Sequence, residues 1–268
     1  MKKRGTRISY SSKIAKRNKK RKFLKLFFLL FVPIGLVVGL VLALRADYLQ
    51  IKNIEVTGAV SLSNDDIKNA VLESMGGAYL KVLPKSNIFL VDEKNLREVL
   101  LSEFGRLAGA EINKGLDGSL RVSVEERQTA SIWCSTDGTC FLMDNSGLLF
   151  ARSSETDKQG KIIFGGNLKG DPLLQTFGTE EDMHNYFEMA RLLETGGYAA
   201  TKLFVESDEK AILNTPIGKI IFSPREENIT EAADNALLLI ETEKQKNAET
   251  IFDYIDTRFG NKLFYKTI

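Results

Sequence analysis

Residues 26–44, LFFLLFVPIGLVVGLVLAL, carry no charge and no strongly polar side chain, and they decide what kind of chain this is. A run of about 20 apolar residues is long enough to cross the bilayer core as a helix. The 22 residues before Phe23 hold 11 Lys or Arg and no acid. Lys and Arg concentrate on the cytoplasmic side of such a helix, so the N-terminus is expected inside and residues 45–268 outside. A cleaved signal peptide would have an apolar core of about 7–15 residues and a small-x-small exit site. Here the core is longer, and Ala43-Leu44-Arg45-Ala46 puts Arg45 where a small residue is wanted. The expectation is therefore an uncleaved anchor. Pro33 lies inside the run and predicts a kink, which membrane helices tolerate. Gly35 and Gly39 form a GxxxG pair, either a helix-packing face or a chance spacing. The basic tail has no apolar pattern and is expected to be disordered. It either contacts anionic lipid heads or only sets the topology.

Charge is distributed unevenly. Of the 37 basic residues, 12 lie at or before Lys25, leaving 25 against 35 acids, a net charge of −10 for the remainder. An acidic exterior argues against nucleic acid as a partner, which needs clustered positive charge. The 224 residues after Leu44 are enough for one large or two small domains.

Both cysteines fall in IWCSTDGTCFLMD, as Cys134 and Cys140. Asp137-Gly138 between them is a hairpin-turn signal. Opposed residues of an antiparallel pair have Cα atoms about 4.5–5.5 Å apart, a separation that suits a disulfide. An exterior compartment permits the bond, and so short a closed loop would contribute about 2 kcal/mol. Two free thiols are the alternative. Zinc is disfavoured, since it wants four ligands and the single histidine, His184, is far away in sequence.

After the anchor, Tyr48–Val56 reads as a strand ended by Gly58. Ser63 caps a helix with Ile67, Ala70, Val71 and Ser74 on one face, closed by Gly76-Gly77. Asp92 caps a second helix with Leu96, Val99 and Leu100 as its buried stripe. Residues 108–114 and 119–125 read as two strands around Asp117-Gly118. The order is strand, helix, helix, strand, strand. From Arg127 on, the hairpin at 130–144 is followed by Asn145-Ser146-Gly147 and a polar loop at 152–161. Thr179 caps a helix with Met183, Tyr186, Phe187, Ala190 and Leu193 inward, closed by Gly196-Gly197. Strands follow at 203–206, 211–213 and 219–222, then a helix over 230–246 with Ala233, Leu237 and Ile240 inward. A last strand pair, 251–256 and 262–266, turns at Gly260-Asn261.

No residue pattern supports catalysis. The chain has no GxSxG, HExxH, P-loop or GxGxxG motif. His184 lies beside Asp182 at a helix start and reads as a surface residue. Glu125 and Glu126 are adjacent on a strand and face opposite sides, so they do not flank one substrate. Asn228-Ile229-Thr230 is a sequon of the kind expected by chance. The expectations are no catalytic residues, no metal and no cofactor.

Three segments together resemble the FtsQ/DivIB family of bacterial division proteins. The strand-helix-helix-strand-strand module looks like that family's POTRA domain, through Ile51, Ile54, Val56 and Gly58, then Leu62-Ser63, then Asn87-Ile88-Phe89 leading into Val91-Asp92. Val122-Ser123-Val124-Glu125-Glu126-Arg127, with Ala130, resembles the V-x-E-R-x-P-x-A junction, although Gln128 and Thr129 stand where a Pro is frequent. Asp144-x-x-Gly147 closes the strand pair that follows. Tyr254-Ile255-Asp256-Thr257-Arg258-Phe259 is similar to the terminal Y-[IV]-D-[LT]-R-[FY] signature. The chain stops at Ile268, without the polar tail that some members carry.

The resemblance implies an α+β chain with a cytoplasmic tail at 1–22, a single transmembrane helix at 23–45, a POTRA domain at 46–126 and a mixed β-rich extracytoplasmic domain with flanking helices at 127–268. It implies a bitopic scaffold of the divisome rather than an enzyme. It also implies a place in the plasma membrane at the division septum, with FtsB/FtsL (DivIC-type) partners bound by β-strand addition and other division proteins bound through the POTRA domain and the membrane helix. No nucleic acid and no small-molecule substrate is expected. The residues make physical sense of the strand addition, because an edge strand offers unpaired N–H and C=O groups. Tyr254, Asp256, Arg258, Phe259, Phe264 and Tyr265 are the expected contacts. Alternation groups Phe252, Tyr254 and Asp256 on one face and Ile251, Asp253 and Ile255 on the other. The bland reading is that these side chains complete the core, with Asp256 and Arg258 an internal ion pair. Rival readings are another POTRA-type chaperone, disfavoured by the lack of repeated modules and barrel strands, or a membrane-anchored ligand-binding module. For the latter, the single tryptophan, Trp133, reads as packing.

Overall fold

A computed structural model describes residues 11–115, 117–260 and 262–268, with side chains from Lys22 onward. The first ten residues of the expected tail and Asn261 of the expected last turn lie outside the described residues. The first helix, α1 (Ser11–Leu44), includes Pro33, and its part from Lys22 to Leu44 is 23 residues, long and apolar enough to cross a membrane. The basic segment from Ser11 is helical, which corrects the expectation of disorder there. The physical reason is that Lys and Arg are good helix formers, and extending an existing helix adds a hydrogen bond per residue without a new nucleation cost.

The chain forms two compact units, residues up to Leu100 with Ala110–Val124, and Leu101–Gly109 with Glu125–Ile268. The first unit carries β1 (Asn53–Thr57), α2 (Asn64–Ser74), a small hairpin of β2 (Ala78–Tyr79) and β3 (Leu83–Pro84), and the larger parts of α3 (Glu93–Glu103), β4 (Leu107–Lys114) and β5 (Ser119–Glu126). The sheet order is β1-β5-β4, with β1 parallel to β5. Parallel neighbours need a crossover, and the two helices supply it. The Ser63 hydroxyl accepts from the Asp65 N–H at 3.2 Å and the Asp92 carboxylate from the Asn95 N–H at 3.1 Å, so both helix starts are capped. Ile67, Ala70 and Val71 of α2, with Leu96 and Leu100 of α3, are buried with Ile54, Leu120 and Val122 of the sheet. The first strand is shorter than its composition suggests. Asp47–Leu49 form a 3₁₀ turn, and Leu49 and Ile51 bond to Ile88 and Ser86 rather than to the sheet.

The second unit holds one nine-stranded sheet. Its strands are β6 (Ser131–Cys134), β7 (Cys140–Met143), β8 (Leu149–Arg152), β9 (Ile163–Gly165), β10 (Lys202–Ser207), β11 (Lys210–Thr215), β12 (Gly218–Phe222), β13 (Phe252–Phe259) and β14 (Lys262–Thr267). They are ordered β14-β13-β12-β11-β10-β9-β6-β7-β8. Two helices connect parallel neighbours: α4 (Glu180–Thr195) joins β9 to β10, and α5 (Ile229–Lys246) joins β12 to β13. Their apolar stripes, including Met183, Tyr186, Met189, Leu193, Ala233, Ala236 and Ile240, pack in one core with Trp133, Phe164, Leu203, Leu213, Ile220, Phe222, Phe252 and Ile255 of the sheet. A full capping box at Thr179 and Asp182 starts α4.

β9 is a strand that sequence patterning leaves out. Three residues are too few to show alternation, yet β9 runs parallel to both β6 and β10 and joins the two parts of the sheet. Its Phe164 is fully buried and stacks edge-on with Phe177 and Tyr186. The V-x-E-R junction also has a local role. The Arg127 guanidinium donates to Asp144 at 2.9 Å and to the Gly105 carbonyl at 3.2 Å. The other oxygen of Asp144 accepts from the Ser146 and Leu148 N–H groups, closing the turn before β8.

Candidate functional site

The last strand pair holds the expected contact residues, and its backbone is not regular. Pairing of β13 with β14 shifts once between Phe252 and Tyr254 and again between Asp256 and Phe259. A bulge puts two residues opposite one and resets the alternation. Phe252 and Ile255, three apart, therefore both enter the core with α5. This corrects the alternation-based grouping of Phe252 with Tyr254 and Asp256. Only Tyr254 and Asp256 stay on the face that the helices leave open, opposite Lys266 and Phe264 of β14.

On that open face, Lys210, Ile221, Tyr254, Asp256, Arg258, Phe259 and Phe264 line a shallow depression of about 360 Å³. The Phe259 and Phe264 rings meet edge-on at 5.0 Å, and the Arg258 guanidinium lies 5.5 Å from the Phe259 centroid. Arg258 holds Asp256 in a bidentate pair, Nε to Oδ1 at 2.9 Å and Nη2 to Oδ2 at 2.7 Å. Its backbone N–H donates to the same carboxylate at 3.2 Å. Asp256 is buried and Arg258 half-buried, so the pair is shielded and geometrically fixed. The bonded Asp256 carboxylate pushes the Arg258 guanidinium above its ordinary range. The next residue, Thr257, is buried and donates to the Ile221 carbonyl at 3.2 Å.

Tyr265 is set apart from the others. Its ring packs edge-on against Phe252 at 5.9 Å, and its hydroxyl donates to the Glu243 carboxylate of α5 at 3.1 Å. Bonds from Lys246 and then Tyr265 hold the Glu243 carboxyl below its usual range. The open face thus gathers five of the six expected contacts, and Tyr265 lies on the helix side. Ile221 and Lys210 complete the depression. Ile221 is legible once β12 is recognised, since alternation puts it opposite the buried Ile220, but no local signal marks Lys210.

The two ends of the sheet differ. At one end, the segment around 174–177 covers β8: the Leu174 N–H donates to the Leu149 carbonyl at 2.7 Å and the Leu149 N–H to the Gln175 carbonyl at 2.9 Å. At the other end, β14 is the terminal strand, with Lys262 and Lys266 flanking Leu263, Phe264 and Tyr265. Charged residues on an edge discourage indiscriminate pairing.

Cys134 and Cys140 pair directly across β6 and β7, with Cα atoms 4.1 Å apart, and form a disulfide. The Asp137 carboxylate accepts from the Ser135 hydroxyl and the Thr139 N–H in the connecting turn, which lowers its pKa. Replacing both cysteines by Ser is expected to cost about 2 kcal/mol in urea unfolding, the entropy of so short a closed loop. An unfolding midpoint that neither this change nor dithiothreitol moves would show that the bond adds no stability. Trp133 is buried and packs against Phe141 and Phe177. His184 is exposed. An added Cβ at Gly35 or Gly39 would meet nothing within 4 Å, so that face of α1 is open. Among the described residues no group of His, Cys, Asp and Glu is arranged to hold a metal ion.

Comparison with known proteins agrees with this architecture. The family model for the POTRA domain, FtsQ-type, matches residues 49–127. The cell division protein DivIB of Clostridium botulinum (strain Loch Maree / Type A3) is 24% identical over 259 residues, covering 92% of this chain and 93% of the relative. The DivIB of Clostridium botulinum (strain Hall / ATCC 3502 / NCTC 13319 / Type A) is 25% identical over 257 residues, with the same coverage of 92% and 93%. One apolar helix long enough to cross a membrane, a POTRA domain and division proteins as relatives fit a single-pass membrane protein with a role in cell division. The FtsQ-type POTRA match and two DivIB relatives, each aligned over 92% of the chain, support a likeness to the FtsQ/DivIB family. That family consists of non-enzymatic division scaffolds, and the likeness supports a role in protein–protein interaction within the divisome.

Proposed function

We propose that the chain links cytosolic and early division proteins to late ones by binding FtsB/FtsL (DivIC-type) partners, which add a strand along β14. The observation that carries this reading is the asymmetry of the sheet: β8 is covered, while β14 is terminal and borders the depression with Tyr254, Phe259 and Phe264. A strand added at β14 gains backbone hydrogen bonds, and its alternate side chains reach the depression. In this reading the Asp256–Arg258 pair fixes the floor of the depression rather than supplying a free charge.

The basic tail at 1–22 keeps the N-terminus cytoplasmic, 23–45 spans the membrane, 46–126 is the POTRA domain and 127–268 is the extracytoplasmic partner-binding domain. The POTRA domain and the Gly35–Gly39 face of α1 offer further surfaces to other division proteins. A fluorescent fusion is expected to concentrate at midcell, and depletion to give filaments. Even labelling of the membrane in dividing cells would count against a septal scaffold.

A further inference from the structure

We propose that the β2–β3 hairpin of the first unit docks on an anionic lipid surface, on the side of the membrane where α1 ends. Leu80 enters the interface, and Lys81 and Lys85 meet lipid phosphates.

The hairpin base is fixed to the exit of the membrane helix. The buried Asn87 side chain donates to the Leu44 carbonyl at 2.6 Å, and the Gln50 side chain donates to the same carbonyl at 3.0 Å. The Ile88 N–H donates to the Leu49 carbonyl at 2.8 Å and the Ile51 N–H to the Ser86 carbonyl at 2.9 Å. Leu44 is the last residue of the apolar run, so residues 86–88 lie where the helix leaves the hydrocarbon. β3 itself lies against α1. From Lys22 to Leu44 only Val41 and Leu44 are half-buried, and the others are exposed. Three apart, these two share one helix face. The cover thus reaches about 4.5 Å back along α1, inside the apolar run.

The tip has the composition of an interfacial anchor. Leu80 is 92% exposed, and Tyr79 and Val82 are exposed beside it. Leu80 and Lys81 both take left-handed backbone, with φ of 51° and 62°. Non-glycine residues rarely adopt it, and here the turn holds a large apolar side chain away from the unit's own core. Tyrosine and lysine suit the headgroup region, and the Lys85 ammonium lies 5.8 Å from the Tyr79 ring centroid. Residues 74–91 contain both lysines and no acid, although the chain beyond Lys25 is net acidic. That local reversal of sign matches a negative lipid surface.

The test uses the full-length protein in nanodiscs with and without phosphatidylglycerol, with the Cys134–Cys140 bond left intact. An environment-sensitive dye is attached at Leu80→Cys and, as comparator, at Lys94→Cys on α3, where the side chain is 86% exposed. A nitroxide placed high on the lipid chain is expected to quench the dye at position 80 about twofold or more and to leave position 94 unchanged. Lys81→Glu with Lys85→Glu, or omission of phosphatidylglycerol, is expected to reverse most of that quenching, since each lysine near an anionic surface favours contact about fivefold. Equal quenching at both positions would overturn the docking, as would a tip quenched only when a protein partner is added. Quenching at position 80 that ignores both the lysines and the lipid charge would overturn the anionic specificity. None of these readouts depends on FtsB/FtsL binding.

Discussion

Phe264→Glu is expected to weaken binding of the proposed FtsB/FtsL-type partner about 30-fold or more and to leave the fold intact. Phe264 is 52% exposed on the edge strand and faces the depression rather than the core, so its replacement removes little buried area. Substitutions at such exposed sites usually change stability by no more than about 0.5 kcal/mol. Aromatic residues at the centre of an interface cost about 2 kcal/mol or more when removed, which is about 30-fold in affinity. Tyr254→Glu is expected to act in the same direction, because Tyr254 shares the face. Tyr265→Phe removes only the bond to Glu243 on the helix side and is expected to leave binding unchanged. Titration of the purified exterior region with a partner segment, alongside thermal melts, separates the cases. Binding within about threefold of the parent for both glutamate variants would reject the open face as the docking surface. A loss with Tyr265→Phe equal to theirs would move the surface to the helix side.

Gly218→Val is expected to destabilise the second unit by on the order of 3 kcal/mol, with a melting temperature lower by about 10 °C. Gly218 has φ +137°, where side chains are rarely tolerated. A Cβ there would stand 2.2 Å from the Phe252 carbonyl oxygen, a backbone atom held by the Phe252 N–H bond to the Ile217 carbonyl at 2.9 Å. Relief requires moving the start of β13 away from β12, and that junction positions Tyr254 and Asp256. Gly138→Ala isolates the backbone term: its φ is +88°, but an added Cβ meets nothing within 4 Å. Its cost is expected to be only about 1 kcal/mol. Equal melting temperatures for the two variants would show that the close approach at Gly218 contributes nothing.

Elements with strong local signals were readable from composition and spacing. Ser63, Asp92 and Thr179 cap the helices they precede, because a short polar side chain before an amphipathic run has few better uses. The inward stripe of α4 follows from its 3.6-residue period, and Met183, Tyr186, Ala190 and Leu193 are buried as the period requires. Tyr48–Lys52 was less legible. Its branched and aromatic residues suit a strand, but Leu49 and Ile51 bond to Ile88 and Ser86, over thirty positions away, and the Lys52 N–H donates to the Gly118 carbonyl. Propensity yields to such distant pairing because a strand has no hydrogen bonds of its own to satisfy.

By itself the sequence determined an apolar helix long enough to cross a membrane, the POTRA order of strands and helices, the absence of catalytic motifs and the terminal signature that points to the FtsQ/DivIB family. All of these rest on local order, period or composition. The tertiary structure alone decided that β9 joins the sheet and that bulges in β13 send Phe252 and Ile255 to the same core. It also put Tyr265 opposite its neighbours and left β14, rather than β8, as the uncovered edge of this sheet among the described residues. The reason is physical. A strand's faces alternate with a period of two, so a single extra residue reverses every assignment beyond it. Whether a strand is covered or exposed depends on segments far along the chain, and no local pattern encodes that.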